Sequence, residues 1–203
     1  MGKYGKRLGV CLLVAAVAWG GAALSDRQQL RQELIRLHVI ANSDSPEDQM
    51  LKLQVRDAVL ESFRLEMENL RDMEQAKAYL QEKLPLIEAA ANETLQRLGS
   101  GDSAVVSLCR EAFETRHYDT FSLPAGVYEA LKITIGEGLG KNWWCVVYPA
   151  LCLATQPDAV AHIAAGAGFS DTLSDTLTKP QVYEIRFALL DGLGRLENML
   201  LSG

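Results

Sequence analysis

The hydrophobic pattern predicts a strand followed by a helix near the start of the folded part of the chain. Apolar residues alternate over 35–42, which predicts a strand with one apolar face and His38 on the opposite face. Ser45 and Pro46 then form a typical helix start. A serine side chain accepts an amide hydrogen bond of the first turn, and proline suits the first helical position. This helix is predicted to run to about residue 67.

Two apolar stripes run along this helix. The first repeats every four residues from Leu51 to Phe63 and predicts the buried face. Leu53, Leu60 and Met67 repeat every seven residues on nearly the opposite side. This second stripe indicates either packing against the next helix, which is the more common outcome, or an exposed seam for a partner.

Two further helices are predicted, with a long connection before the second. The first spans 72–98 and stops at Gly99, and Pro85 inside it is expected to kink it or divide it in two. Residues 154–179 contain few large apolar groups and are interpreted as a loop or tether. The last helix is predicted over 181–201.

Three β-rich segments lie between these helices, at 105–118, 127–135 and 142–148. Short turns connect them, including a glycine-rich hairpin turn over 136–140, so we expect an antiparallel meander. The predicted fold class is therefore α+β, a small antiparallel sheet with amphipathic helices packed on one face. Residues 24–203 are expected to form one such domain.

The first 23 residues have the pattern of an export signal. Lys3, Lys6 and Arg7 precede an uncharged apolar run, and small residues follow at 20–23, where a signal peptidase requires them. We expect residues 1–23 to be a signal peptide. The alternative is an uncleaved anchor, because the apolar run is close to the minimum length that spans a bilayer.

Composition narrows the classes of partner. The chain has 203 residues, 48% of them hydrophobic, and a formal net charge of −6. Three of its basic residues lie in the leader, so the remainder is more acidic still. An acidic protein without a basic patch is a poor ligand for nucleic acid or anionic lipid. We therefore predict no nucleic-acid partner, and membrane contact only through an uncleaved leader.

The sequence lacks the common patterns of catalytic and metal sites. The G-x-S-x-G elbow of serine hydrolases, the H-E-x-x-H zinc motif and the P-loop are all absent. His38, His117 and His162 are isolated along the chain, and a partly buried histidine bonded to a backbone carbonyl is the preferred interpretation of His38. We predict no catalytic residue, no metal and no cofactor.

Export bears on the cysteines, because disulfides form in oxidising compartments. Cys145 and Cys152 are spaced to close a short loop by a disulfide, and two buried free thiols are the alternative. Cys109 is expected to be a buried strand residue.

Several segments, taken together, resemble the stage II sporulation protein R family. They lie in the family's order and cover most of the chain from residue 34 to 190. The segments read RLHVIANSDS at 36–45, LKLQVRDAV at 51–59, LPAGVY at 123–128, LKI at 131–133, NWWCVVYPALC at 142–152 and EIRF at 184–187.

The resemblance implies a signalling protein secreted from the forespore into the space between forespore and mother cell. There it would activate a membrane-embedded aspartic protease of the mother cell, which removes the pro-sequence of a sigma factor. The family offers no catalytic residues to carry over. The alternatives are an exported cell-wall-binding module or cell-wall hydrolase, and a structural protein of the spore envelope.

Partner-binding candidates follow from this role. They come from the first strand and the turn after it, the second stripe of the first helix, and a tryptophan pair whose two side chains point to opposite faces of one strand. Core packing is the alternative for both tryptophans. The candidates are His38, Asn42, Asp44, Leu53, Leu60, Trp143 and Trp144.

Overall fold

The computed structural model describes residues 3–67, 69–151 and 157–179. The elements are α1 (Lys3–Glu33), β1 (Ile35–Ile40), α2 (Pro46–Met67), α3 (Met73–Arg97), β2 (Ala104–Phe113), β3 (Arg116–His117), β4 (Ser122–Leu123), β5 (Gly126–Ile135), β6 (Asn142–Tyr148), α4 (Pro157–Gly166) and α5 (Asp171–Thr178).

The central sheet is mixed, so the prediction of an antiparallel meander is wrong. Its strand order is β2-β5-β1-β6, and β3 and β4 form a separate two-stranded sheet. Strand β1 lies between β5 and β6, parallel to β5 and antiparallel to β6. The prediction assumed that strands joined by short turns pair with each other. Instead β1 occupies the place between β5 and β6, and their glycine-rich connection is not a hairpin turn.

Helices cover both faces of this sheet rather than the one face predicted. The first face packs against α2 and α3, with Leu37 of β1 and Leu131 of β5 fully buried in that core. The second face packs against Leu30 of α1 and against apolar residues of α4 and α5. The fold is therefore α+β with three layers, helices on either side of a small sheet.

The loop or tether predicted over about 154–179 is helical from Pro157 to Gly166 and from Asp171 to Thr178. Val160, Leu173 and Leu177 of these helices are buried in the second core. The prediction failed because it inferred a loop from the small number of large apolar residues. Those present recur at helical spacing, and burying them is enough to hold two short helices against the sheet.

Helix α1 continues past the predicted end of the signal peptide as one element from Lys3 to Glu33. Leu30 near its end is fully buried, so the last turns of α1 belong to the folded domain. None of the helices in the described part of the chain is long and apolar enough to cross a membrane. The signal peptide remains a prediction, and the helix predicted over 181–201 lies outside the described residues.

The predicted start of α2 and the predicted stop of α3 are confirmed, whereas the division of α3 at Pro85 did not occur. The Asp48 amide donates to Ser45 Oγ over 3.1 Å at the start of α2, as the predicted cap requires. Helix α3 begins after Asp72, which caps it, and remains one helix with Pro85 inside. Gly99 follows its end with a φ of 76°, a conformation that glycine adopts without strain.

Candidate functional site

The second face of the sheet changes from buried to open along its strands. On β5, Tyr128 and Ala130 are fully buried, whereas Lys132 and Thr134 further along are half-buried. Helices α1, α4 and α5 therefore cover only one half of this face. Within the described ranges, six side chains lie together at the half that these helices leave uncovered, which we call the open patch: His38, Glu111, Arg116, Lys132, Asn142 and Trp144.

His38 is the centre of the open patch and is only 7% exposed. Its Nδ1 lies 2.7 Å from Oε2 of Glu111, and its Nε2 lies 2.9 Å from Oδ1 of Asn142. Both partners are acceptors in this arrangement, so the ring donates to both only when it carries a proton on each nitrogen. His38 is bonded to two side chains rather than to the backbone carbonyl that was expected.

Glu111 links His38 to a lysine on the neighbouring strand. Lys132 Nζ donates to Glu111 Oε1 over 2.8 Å. Burial raises the pKa of Glu111, but the hydrogen bonds from His38 and Lys132 outweigh that effect and leave this pKa below its usual range. The carboxylate is thus held ionised between two donors at the surface of the sheet.

Trp144 provides the apolar part of the open patch. Its ring stacks on the His38 ring, with centroids 5.5 Å apart and an interplanar angle of 20°. The guanidinium carbon of Arg116 lies 3.6 Å from the Trp144 ring centroid, in cation–π geometry. The result is a half-buried aromatic ring in contact with both His38 and Arg116.

A buried arginine lies on the same face of the sheet, in the covered half next to the open patch. Arg36 has no exposed surface, and its guanidinium carbon lies 4.1 Å from the Phe113 ring centroid and 5.1 Å from that of Tyr128. Its Nη2 donates to the Tyr118 hydroxyl over 2.8 Å. Among the described residues, Nε and Nη1 have no hydrogen-bond partner. Arg36 is therefore packed among aromatic side chains beside the open patch.

The predicted candidates Asn42 and Asp44 join two turns of the chain instead of lining the open patch. Asn42 Oδ1 accepts the Glu137 amide at 2.9 Å, and Asp44 Oδ1 accepts the Lys141 amide at 2.7 Å. Asn42 also donates to Asp48 Oδ2 over 3.2 Å. We call this contact between turns 41–48 and 136–141 the latch. Its side chains are engaged in internal hydrogen bonds.

Glycine permits the two turns of the latch to touch. A Cβ atom at Gly140 would collide with the carbonyl group of Ser43, and one at Gly136 would collide with the Asn42 side chain. Lys52, buried on α2, closes the contact by donating to the Lys141 carbonyl over 2.9 Å. The glycines of this turn thus have a packing role.

The remaining predicted contact residues lie away from the open patch. Trp143 is on the first face of the sheet, packed against the core with the Arg56 guanidinium carbon 4.6 Å from its ring centroid. Leu60 also packs against that core, and Met67 of the same stripe is 3% exposed. Only Leu53 is open, at 38%. The second stripe of α2 is therefore not a continuous exposed seam.

Of the predicted binding residues, the structure brings His38 and Trp144 together. Sequence reasoning did not single out Glu111, Lys132 or Arg116. The signal that could have indicated these residues is the alternation of polar and apolar residues along the strands. A charged residue at every second position marks the face that is not packed on the core.

The cysteines divide into two free thiols and an untested pair. Cys11 and Cys109 are free. Cys109 is half-buried on β2, and burial raises the pKa of its thiol. Cys152 lies outside the described residues, so its disulfide with Cys145 remains a prediction. Within the described ranges, no group of three or more His, Cys, Asp or Glu side chains is placed to hold a metal ion.

Comparison of the sequence with known proteins shows the family of the chain. The chain is 42% identical over 120 residues to Stage II sporulation protein R of Bacillus subtilis (strain 168), a match that covers 59% of this chain and 54% of that protein. It thus spans about half the length of this curated relative. No solved structure gives a significant match. The family described as Stage II sporulation protein R matches residues 31–157, which include all six strands and the whole open patch. The chain therefore belongs to the stage II sporulation protein R family and has a role in sporulation.

Proposed function

We propose that the chain is a signal exported from the forespore that activates a membrane-embedded aspartic protease of the mother cell. The protease then removes the pro-sequence of a sigma factor. The family, the export-signal pattern of residues 1–23 and the acidic body support this proposal. The contact would be made in the space between forespore and mother cell, on the extracytoplasmic side of the protease.

The proposed mechanism is binding linkage. A protein outside the membrane activates a protease within it by binding the active state more tightly than the inactive state. Each difference of about 1.4 kcal/mol between the two binding free energies shifts the equilibrium about tenfold. Such a ligand needs a rigid contact surface and no catalytic group of its own.

The observation that carries the proposal is the open patch. It combines a stacked aromatic ring with charged groups whose positions are fixed by hydrogen bonds, at the uncovered end of the sheet. Aromatic and arginine side chains at the centre of an interface commonly contribute most of its binding energy. Because the charges are already ordered, little conformational entropy is lost when a partner binds.

Reconstitution tests the function. Membranes that hold the protease and its pro-sigma substrate are incubated with and without the chain, supplied from the extracytoplasmic side. Cleavage that depends on the added chain is the expected result. No cleavage by a competent protease in the presence of the folded chain would contradict the proposal.

A pair of lysine variants tests the open patch. Lys132 and Lys83 are each bonded to a glutamate, at 2.8 and 2.7 Å, and their side chains are 31% and 33% exposed. Lys83 lies on α3, away from the patch. Lys132→Gln is expected to lower the apparent affinity for the protease about fivefold or more, because the ammonium group that would make a charge-assisted contact with the protease is removed. Lys83→Gln should behave as wild type, and equal effects of the two would remove the patch from the contact surface.

A further inference from the structure

Strand β2 is an edge of the central sheet, and its first half is sealed by side chains of α3. The Asn92 side chain donates to the Ala104 carbonyl over 2.9 Å and accepts the Ala104 amide at 2.8 Å. The Val106 amide donates to Glu88 Oε2 over 2.9 Å. These bonds satisfy three outward backbone groups that an edge strand otherwise exposes, both groups of Ala104 and the N–H of Val106.

The seal stops where the helix sequence becomes apolar. Asn92 and Glu88 are four residues apart on α3, and the next position at that spacing is Leu84, which packs against the first core. A leucine side chain offers the strand neither a donor nor an acceptor. The seal therefore extends no further than Val106.

The second half of β2 keeps its outward backbone groups open. Every residue of the strand is in register with β5, without a bulge, from Ala104 to Phe113. The backbone groups of Ala104 and Val106 that bond to α3 point away from β5. Because backbone groups alternate in direction along an antiparallel strand, the N–H and C=O groups of Leu108, Arg110 and Ala112 point outward as well. In the described part of the chain no hydrogen-bond partner meets these groups, and Arg110 and Ala112 are exposed.

We propose that this open edge, residues 108–112, accepts an extended segment of the protease as a fifth strand of the sheet. The proposal rests on the proposed function, because the protease is the partner taken to supply the segment. Backbone groups spaced in this way are matched by another extended chain, the mode of recognition called strand addition. Glu111 belongs to the open patch, so the added strand would extend that surface at its β2 side.

Charge argues for a partner segment with an acidic residue and against a second copy of this chain. Arg110 is the central residue of the open edge, and its side chain is 67% exposed. Two copies paired antiparallel about this centre would place Arg110 opposite Arg110, which is destabilising. An Asp or Glu at that position of the partner would instead pair with it.

A cleft beside the open edge offers room for partner side chains. It has a volume of about 850 Å³ and lies between α1, α3 and the β2–β5 pair. Three basic side chains from the described part of the chain line it, those of Arg31, Lys77 and Arg110. The acidic ones among its lining residues are Glu74 and Glu129, so the balance is basic in an otherwise acidic protein.

Residue-resolved amide hydrogen exchange tests the proposal on the full chain, free and mixed with nanodiscs that hold the protease. In the free chain, the amides of 108, 110 and 112 should exchange fast and those of 107, 109 and 111 slowly, because only the latter pair with β5. Binding should slow the outward three by about tenfold or more. Unchanged exchange at these amides in a complex that forms would overturn the proposal.

Two matched pairs of variants test it independently. Ala112→Pro removes one outward N–H that the sheet does not use, a change edge strands tolerate, and should weaken binding about threefold to tenfold. Ala112→Ser keeps the N–H and should bind as wild type. Arg110→Glu should weaken binding more than Arg110→Gln does, and this comparison remains if Ala112→Pro fails to fold.

The outcomes separate this proposal from the function on which it rests. If the chain activates cleavage but the outward amides stay unprotected, the strand-addition proposal fails and the signalling function stands. If the chain fails to activate a competent protease, the function fails, and the proposal fails with it. Protection of the same amides in the free chain, together with a dimer in sedimentation, would identify a second copy as the occupant and overturn the proposed partner.

Discussion

Adding one methyl group at Gly140 should destabilise the protein through the latch. The new Cβ would lie 2.5 Å from the Ser43 carbonyl carbon and 2.9 Å from the Ala41 Cβ. Neither neighbour is the flexible end of a long side chain. The two turns must therefore separate by about 1 Å to restore ordinary contact. That movement works against the bonds from the Gly140 amide to the Ala41 carbonyl, 2.9 Å, and from the Lys141 amide to Asp44, 2.7 Å.

The expected cost of Gly140→Ala is about 1–3 kcal/mol in the free energy of unfolding, the usual range for overpacking. In a protein of this size that corresponds to a fall in Tm of about 3–10 °C. Urea and thermal unfolding, followed by circular dichroism, measure both quantities.

Gly101→Ala is the matched control, because no atom lies within 4 Å of a Cβ placed there. Its free energy of unfolding should change by less than about 0.5 kcal/mol, or rise slightly. If the two variants unfold within about 0.5 kcal/mol of each other, the latch does not constrain these turns and the reasoning from the close approach is wrong.

Three further results are expected. Met67→Ala should lower the free energy of unfolding by about 2–5 kcal/mol, and Leu53→Ala by less than about 1 kcal/mol. Equal losses of stability in urea unfolding would contradict the division of the second stripe of α2 into buried and open parts. Because the pKa of Glu111 is lowered on folding, the stability it contributes is complete above its ordinary pKa of 4.5 and is lost as the pH falls through the lowered value. In Glu111→Gln the free energy of unfolding should therefore depend less on pH below 4.5 than it does in the wild type. Parallel curves of unfolding free energy against pH for the two proteins would refute this. Asn42→Ala should cost about 1–3 kcal/mol yet preserve activation of the protease below its Tm, whereas a stable but inactive variant would place Asn42 in the contact surface.

Local features of the fold could be predicted from the sequence because their causes lie within one helical turn. Ser45 bonds to an amide three residues away, and Asp72 does the same at the next helix. Strand pairing has no such local cause. Leu37 is paired with Leu131, and the sequence between them contains two helices and three other strands. The parallel pairing of β1 with β5 therefore could not be predicted from turn lengths.

The open patch was predictable only in part for the same reason. The position of His38 on the polar side of β1, and the opposite directions of Trp143 and Trp144, follow from the alternation of a strand. The link between His38 and Glu111 joins residues 73 positions apart. That contact depends on the order β2-β5-β1-β6, which brings these strands to one surface. The helices α4 and α5 were missed because their few apolar residues gain stability only from packing on the second face.

The central claim is that this chain acts as an activating ligand of a protease. The most direct measurement is the initial rate of pro-sigma cleavage in reconstituted membranes, with increasing amounts of the chain at a fixed amount of protease. If the chain is such a ligand, neither the chain nor the protease alone should cleave the substrate, and the rate should saturate as the protease becomes fully bound. A protease whose catalytic aspartates are replaced should give no cleavage at any amount of the chain. A rate independent of the chain, or cleavage by the chain without an active protease, would contradict the account.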